Sequence, residues 1–174
     1  MKFNFFKSKK KNNTSKEEEE EVNSMGFTKT EIEEYDKHVK FYYTNIINSL
    51  ILYTYNEKQL DKMETILIDP LTELYEELDY AFTPILFETV LKNRLIDTKF
   101  KNELLEFKIK VDEIPTEIWN WNYLDTNETW KNIRNDADEL LNKLGINTRK
   151  YNDEFTTIIS NTGEILKKGN SNLK

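Results

Sequence analysis

Between residues 27 and 145, apolar side chains recur at alternating steps of three and four, a period that permits little except helix. Ile32, Tyr35, Val39, Tyr42, Ile46, Leu50 and Tyr53 fall on one such stripe, which predicts a single long helix over residues 29–55. At about 1.5 Å per residue it would run ~40 Å. Phe41, Tyr43, Ile51, Leu52 and Tyr55 widen its apolar surface. A membrane span needs roughly 20 predominantly apolar residues. The richest stretch here, residues 39–55, is shorter and contains Lys40, Asn45 and Asn48, so a central core helix is expected.

Helix-ending signals divide the rest of the chain. Leu60, Met63 and Leu67 mark a short amphipathic helix. Asp69-Pro70 ends it and opens another, because Asp is a good N-cap and Pro at the first helical position gives up no needed hydrogen bond. That helix is read as burying Leu71, Leu74, Tyr75, Leu78 and Phe82. Thr83-Pro84 repeats the device ahead of Leu86, Phe87, Val90 and Leu91. Asp97 or Thr98 caps a helix with Phe100, Leu104, Phe107, Val111 and Ile114, which Pro115 stops. Asp125 and Glu128 have capping-box spacing before Trp130, Ile133, Ala137, Leu140, Leu141 and Leu144, and Gly145 is the expected terminator.

These signals predict an all-α fold: one domain over residues 25–168, a bundle of roughly six helices with neighbours antiparallel. Residues 155–160 and 164–168 flank Asn161-Thr162-Gly163 and read as a small C-terminal β-hairpin. Such a hairpin must pack on the bundle or fray. Residues 169–174 are expected to fray.

Residues 1–24 read as a disordered, charged tail. Lys2, Lys7, Lys9, Lys10, Lys11 and Lys16 precede five glutamates, Glu17 to Glu21, and almost nothing after Phe6 is buriable. A secretory signal needs about 7–15 apolar residues, where Phe3, Phe5 and Phe6 alone are offered. Lys2 stands where myristoylation requires glycine. A cytoplasmic protein is expected. A second reading makes residues 1–11 a weak contact for an anionic membrane, each Lys contributing roughly 1 kcal/mol. The bundle would then be a membrane-peripheral adaptor.

The chain holds no cysteine, which excludes disulfides, thiolate metal sites and a cysteine nucleophile. Its one histidine, His38, lies a turn after Glu34, but a di-metal bundle site needs Glu-x-x-His on two helices. Gly26, Gly145, Gly163 and Gly169 are too scattered for a phosphate loop. Asp136 and Asp138, beside Glu139, are two apart on a helix and point away from each other. No cofactor, metal or catalytic residue is assigned. An enzyme using a pair of carboxylates in a helical cleft is a third reading.

Two features point to binding. Trp119, Trp121 and Tyr123 are three large rings within five residues, interleaved with amides, suited to anchoring a partner. The structural alternative is that they plug a gap between helices, since such rings bury ~150–250 Å² each. The other feature is charge. The net charge is −7, and residues 63–91 hold Glu64, Asp69, Glu73, Glu76, Glu77, Asp79 and Glu88 with no basic residue. Glu73, Glu76 and Glu77 share the outer face of the Pro70 helix, with Asp79 nearby and Tyr80 following. Like charges at these spacings cost a few tenths of a kcal/mol per pair. Either lysines of an adjacent helix, such as Lys99, Lys101 or Lys108, neutralise the patch, or it is a docking face for a basic protein. The folded domain is not expected to bind nucleic acid, whose phosphates need Lys and Arg. The expectation is therefore a non-catalytic, acidic, helical protein-binding module, of the immunity or inhibitor type that blocks a basic partner.

Overall fold

The computed structural model describes residues 7–8, 21–160 and 162–170. Among them the helical period is realised as eight α-helices. Strands β1 (Lys7–Ser8) and β2 (Glu21–Val22) pair antiparallel ahead of α1 (Lys29–Lys37) and α2 (Val39–Tyr53). Next come α3 (Glu57–Asp61), a 3-10 turn (Lys62–Thr65), α4 (Pro70–Ala81) and α5 (Pro84–Lys92). A second 3-10 turn (Thr98–Phe100) leads into α6 (Lys101–Asp112), followed by α7 (Trp121–Leu124) and α8 (Glu128–Lys143). Strands β3 (Ile158–Ile159) and β4 (Ile165–Lys167) form the C-terminal hairpin, with an irregular register between Ile158 and Ile159.

The core is built around α2, which packs against α4, α5 and α8. Ile46, Leu50, Ile51 and Leu52 are almost wholly removed from solvent, each such side chain contributing about 1.5–3 kcal/mol by burial. Leu74 and Leu78 of α4, Phe87 and Val90 of α5, and Ala137 and Leu141 of α8 complete the same cluster. Among the described residues no helix is long and apolar enough to cross a membrane.

The helix expected over residues 29–55 is in fact two. At His38 the backbone leaves helical geometry (φ −104°, ψ 9°), and its N–H bonds back to Tyr35 O. A one-residue break leaves the three-and-four phase intact, so the sequence stripe runs through it unmarked. The two halves differ in environment: α1 buries no residue, whereas α2 buries ten. Asp36 of α1 ties that helix to the end of α5, accepting from Lys92 (2.6 Å) and Asn93 (2.7 Å).

Several local signals hold. Asp69 caps α4 with Pro70 first in the helix, and Thr83-Pro84 opens α5. Gly145 (φ +78°) ends α8 in a Schellman motif, its N–H bonding Asn142 O and that of Ile146 bonding Leu141 O. Asp125, by contrast, does not cap α8. Its carboxylate is held by Arg134 (2.7 Å), and Asn127 is the cap, accepting from the Thr129 N–H (2.8 Å). Tyr75 does not share the buried face of α4 and is 42% exposed.

The chain ends differ in part from expectation. Residues 1–6 and 9–20 of the expected tail, most of the membrane-contact segment 1–11, Asn161 and residues 171–174 lie outside the described residues. At the inner end of the tail, Val22 and Asn23 are buried, and the Asn23 side chain accepts from the N–H groups of Met25 and Phe27. Gly169, expected to fray, backs onto the Phe155 carbonyl, where a Cβ would meet the oxygen at 2.3 Å, and the Asn170 N–H bonds Glu154 O.

The segment after α8 is tied to α2 by the Asn48 amide, beside a hydrogen bond from the Tyr151 N–H to the Tyr55 hydroxyl (3.1 Å). Asn48, 2% exposed on α2, donates to Asn152 O and accepts from Asn152 N, both at 2.8 Å. Asn48→Ala strands both backbone groups, so it is expected to cost roughly 2–3 kcal/mol in urea unfolding and to speed hydrogen exchange at Asn152. Arg94 occupies the left-handed position (φ +58°) of a second Schellman turn, at the end of α5. Glycine is unstrained there, so Arg94→Gly should raise stability by about 1 kcal/mol in the same measurement.

Candidate docking face on α4

Each acidic residue of α4 is placed by what lies beneath it. Asp69 accepts from the Thr72 hydroxyl (2.8 Å) at the helix start. Glu73 reaches back to accept the N–H groups of Ile68 (2.7 Å) and Asp69 (3.0 Å). Both carboxylates thus sit in the favourable field of a helix N-terminus. Leu74, Leu78 and Ala81 face the core. Tyr75 and Asp79 lean towards α6, where Lys108 lies 3.3 Å from Asp79 and 2.5 Å from Asp112, its ammonium 5.3 Å from the Tyr75 ring centre. The Lys108 side chain is only 13% exposed. Burial alone would lower its pKa, but hydrogen bonds and charge from Asp112 and Asp79 outweigh that and raise it.

Lys101 pairs with Glu88 and Lys99 with Asp97 (3.5 Å). The acidic segment is therefore partly neutralised within the fold. Glu76 and Glu77, however, make no ion pair or hydrogen bond among the described residues. Glu77 is half-buried, and its pKa is raised first by that burial, then by the charges of Glu73 and Glu76. Tyr80, next on the stripe and 46% exposed, is raised by burial and then by Glu77 and Tyr35.

Tyr80 opens onto an aromatic ridge that the sequence did not single out. Its ring lies 6.5 Å from Phe41, which is 5.8 Å from Phe155 and 5.7 Å from Tyr42. Tyr42 is 6.1 Å from Tyr35, which meets Phe27 edge-on at 5.6 Å. Burial, with smaller contributions from Tyr80 and Tyr35, pushes Tyr42 up to about 12. The ridge thus joins α1, α2, α4 and the C-terminal segment beside Glu76 and Glu77. The one sequence signal for it was Phe41, which lies off the main apolar stripe.

The other candidate anchors are packed differently. Trp119 meets Trp130 edge-on at 4.8 Å and Tyr75 at 6.1 Å, and Trp130 donates to Ile118 O (2.7 Å). Trp119 and Trp121 are half-buried against the core. Tyr123 remains 43% exposed. The structure does not bring these rings to the α4 stripe as one patch; Trp119 meets that helix at Tyr75.

Glu34 pairs with Lys37, and His38 sits at the helix break with its Nδ1 buried and unpartnered. Asp136 and Asp138 are engaged by Lys110 and Arg149. Among the described residues, no group of three or more His, Asp or Glu side chains is placed to hold a metal ion. No protein-family model matches this chain, and neither a curated protein nor a solved structure matches it.

Because its pKa is raised on folding, Glu77 binds a proton more tightly in the folded chain than in the unfolded one. The stability this confers is present below the ordinary glutamate range and is lost as pH rises through the folded value. Glu77→Gln should therefore be more stable than wild type at neutral pH. Urea midpoints for the two proteins should converge towards pH 4; a variant less stable than wild type at pH 7 would contradict this account.

Proposed function

We propose that the protein is a non-catalytic, acidic, helical protein-binding module that docks a basic partner. The docking face is the outer stripe of α4, with Glu76, Glu77 and Tyr80 at its centre and the Tyr80–Phe41 end of the aromatic ridge as its apolar floor. Glu73 and Asp79 lie at its margins, already engaged by backbone N–H groups and by Lys108. The observation that carries this reading is that Glu76 and Glu77 have no counter-charge among the described residues although each of their acidic neighbours on α4 has a partner.

A desolvated carboxylate beside the exposed Tyr80 ring and the half-buried Phe41 ring suits a lysine or arginine carried by a partner. The charge is met by the carboxylates, and the aliphatic stem or the cation itself lies against the aromatic faces. Such a face would act by occupying a cationic cleft, in the manner of an immunity or inhibitor protein. Electrostatic steering would hasten encounter, and like charge would reject acidic competitors. The cytoplasm is the compartment this reading assumes.

Charge reversal tests it without touching the core. Glu76→Lys with Glu77→Lys should weaken capture of a salt-eluted basic protein at least about tenfold, a loss of ~1.4 kcal/mol. It should also flatten the salt dependence of binding while leaving the urea midpoint no lower than wild type. Capture unchanged by reversal would remove this face from consideration.

A further inference from the structure

The break at His38 separates a small, self-contained body from the bundle. Val22 bridges to Thr28, and Asn23 bonds Phe27 through both its backbone and its side chain. Thr28 and Glu31 close a capping box at the start of α1, and Lys29 with Glu33 and Lys37 with Glu34 are paired along it. These contacts travel with α1 wherever it lies. Its attachment to the bundle is of another kind. α1 has no buried residue, and Asp36 fixes it at the end of α5, against Lys92 and Asn93. Both Asp36 and Lys92 are partly open to solvent, so their pairing is screened and holds the helix weakly.

The hinge asks for little. Turning the His38 torsions from −104° and 9° to helical values is a change of about 40–50° in each. That change joins α1 to α2 and shifts α1 from its seat on α5. The sequence is already phased for the joined helix, because Ile32, Tyr35, Val39 and Tyr42 lie on one stripe across the break. Both arrangements of residues 29–53 are therefore compatible with the same chain. An open arm leaves Lys92 and Asn93 without their carboxylate, and the surface that fits them is the same arm of another copy.

We propose that α1, with the turn before it, is an exchangeable arm: it swings about His38 and docks on α5 of a second copy, giving a reciprocal dimer. Each copy re-forms in the other the contacts that it made within itself, Asp36 to Lys92 and Asn93 included. A second copy is the occupant whose fit the structure already displays, since the arm and its seat are seen together. The exchange needs no new contact chemistry, so concentration governs it. The tethered arm prevails when copies are dilute, and exchange gains as they are crowded. None of this draws on the α4 docking face, and the two proposals stand or fall separately.

The chain has no cysteine, so an introduced pair reports on the seat alone. Asp36→Cys and Asn93→Cys, on separate full-length copies, are mixed at high concentration, then diluted and oxidised. The expected product is a disulfide joining the two variants, several-fold more abundant than any dimer from either variant by itself. The same two substitutions on a single chain, oxidised while dilute, tie the arm to its own α5, and this locked form should stay monomeric where wild type dimerises. Charge reversal gives a second measure that needs no disulfide geometry. Asp36→Lys on one copy and Lys92→Asp on another set like charges together within each chain, whereas exchange sets opposite charges together at both seats. Native mass spectrometry of an equimolar mixture should show the mixed dimer well above the half share of random pairing. Absence of both the mixed dimer and the cross-variant disulfide would overturn the proposal. So would a dimer that the locked chain forms as readily as wild type, because that dimer must use another surface.

Discussion

A helix buried on nearly every side has nowhere to place a polar group except against another part of the chain. Asn48 and Ser49 are the most deeply buried of the polar residues on α2. Ser49 solves the problem locally, donating to Ile46 O at 2.9 Å. Asn48 is satisfied at long range, by Asn152, whose backbone N–H and C=O it pairs with as one strand residue pairs with another. An amide left without those bonds would cost about 1–3 kcal/mol per group. The extended segment after α8 is therefore part of the core. By anchoring it, Asn48 also brings Phe155 onto Phe41 and Tyr151 beside α4, and so builds one side of the ridge.

The acidity of residues 63–91 divides into three kinds once the fold is known. Asp69 and Glu73 serve the exposed N–H groups at the start of α4. Asp79 and Glu88 are bound by Lys108 and Lys101 of α6. Glu64, Glu76 and Glu77 remain, and of these Glu76 and Glu77 share the α4 stripe that leads to Tyr80. A run of seven like charges thus narrows to three carboxylates unmatched among the described residues, two of them together on α4. The cost is visible in Glu77, whose ionisation is opposed by burial and by its own neighbours.

The range of the forces involved decides which features were legible in the sequence and which were not. Asp69-Pro70, Thr83-Pro84 and Gly145 act within one helical turn, and the helix ends they mark are where local signals put them. The break at His38 escaped because skipping a single residue preserves the apolar phase. Asp125 had the right spacing for a cap but lost that role to Asn127, since Arg134 draws its carboxylate away. Glu73 was legible as an acid near a helix start, although not as a ligand for the turn preceding it. Lys101 and Lys108 were legible as candidate neutralisers of the acidic segment, but that they meet Glu88 and Asp79 in particular is set by packing between helices. The ridge was beyond reach for the same reason: Phe27, Phe41, Tyr80 and Phe155 become neighbours only through packing.

The Asn48–Asn152 clasp has a consequence for how the molecule is made. Its two halves are separated by 104 positions in the chain. At ribosomal speeds of roughly 5–20 residues per second, the central helix exists for on the order of ten seconds before its partner peptide has been synthesised. Throughout that interval the central helix lacks the segment that pairs with its Asn48 amide. The nascent chain can assemble its helices in order, but residues translated after α8 complete an interior that the earlier helices began.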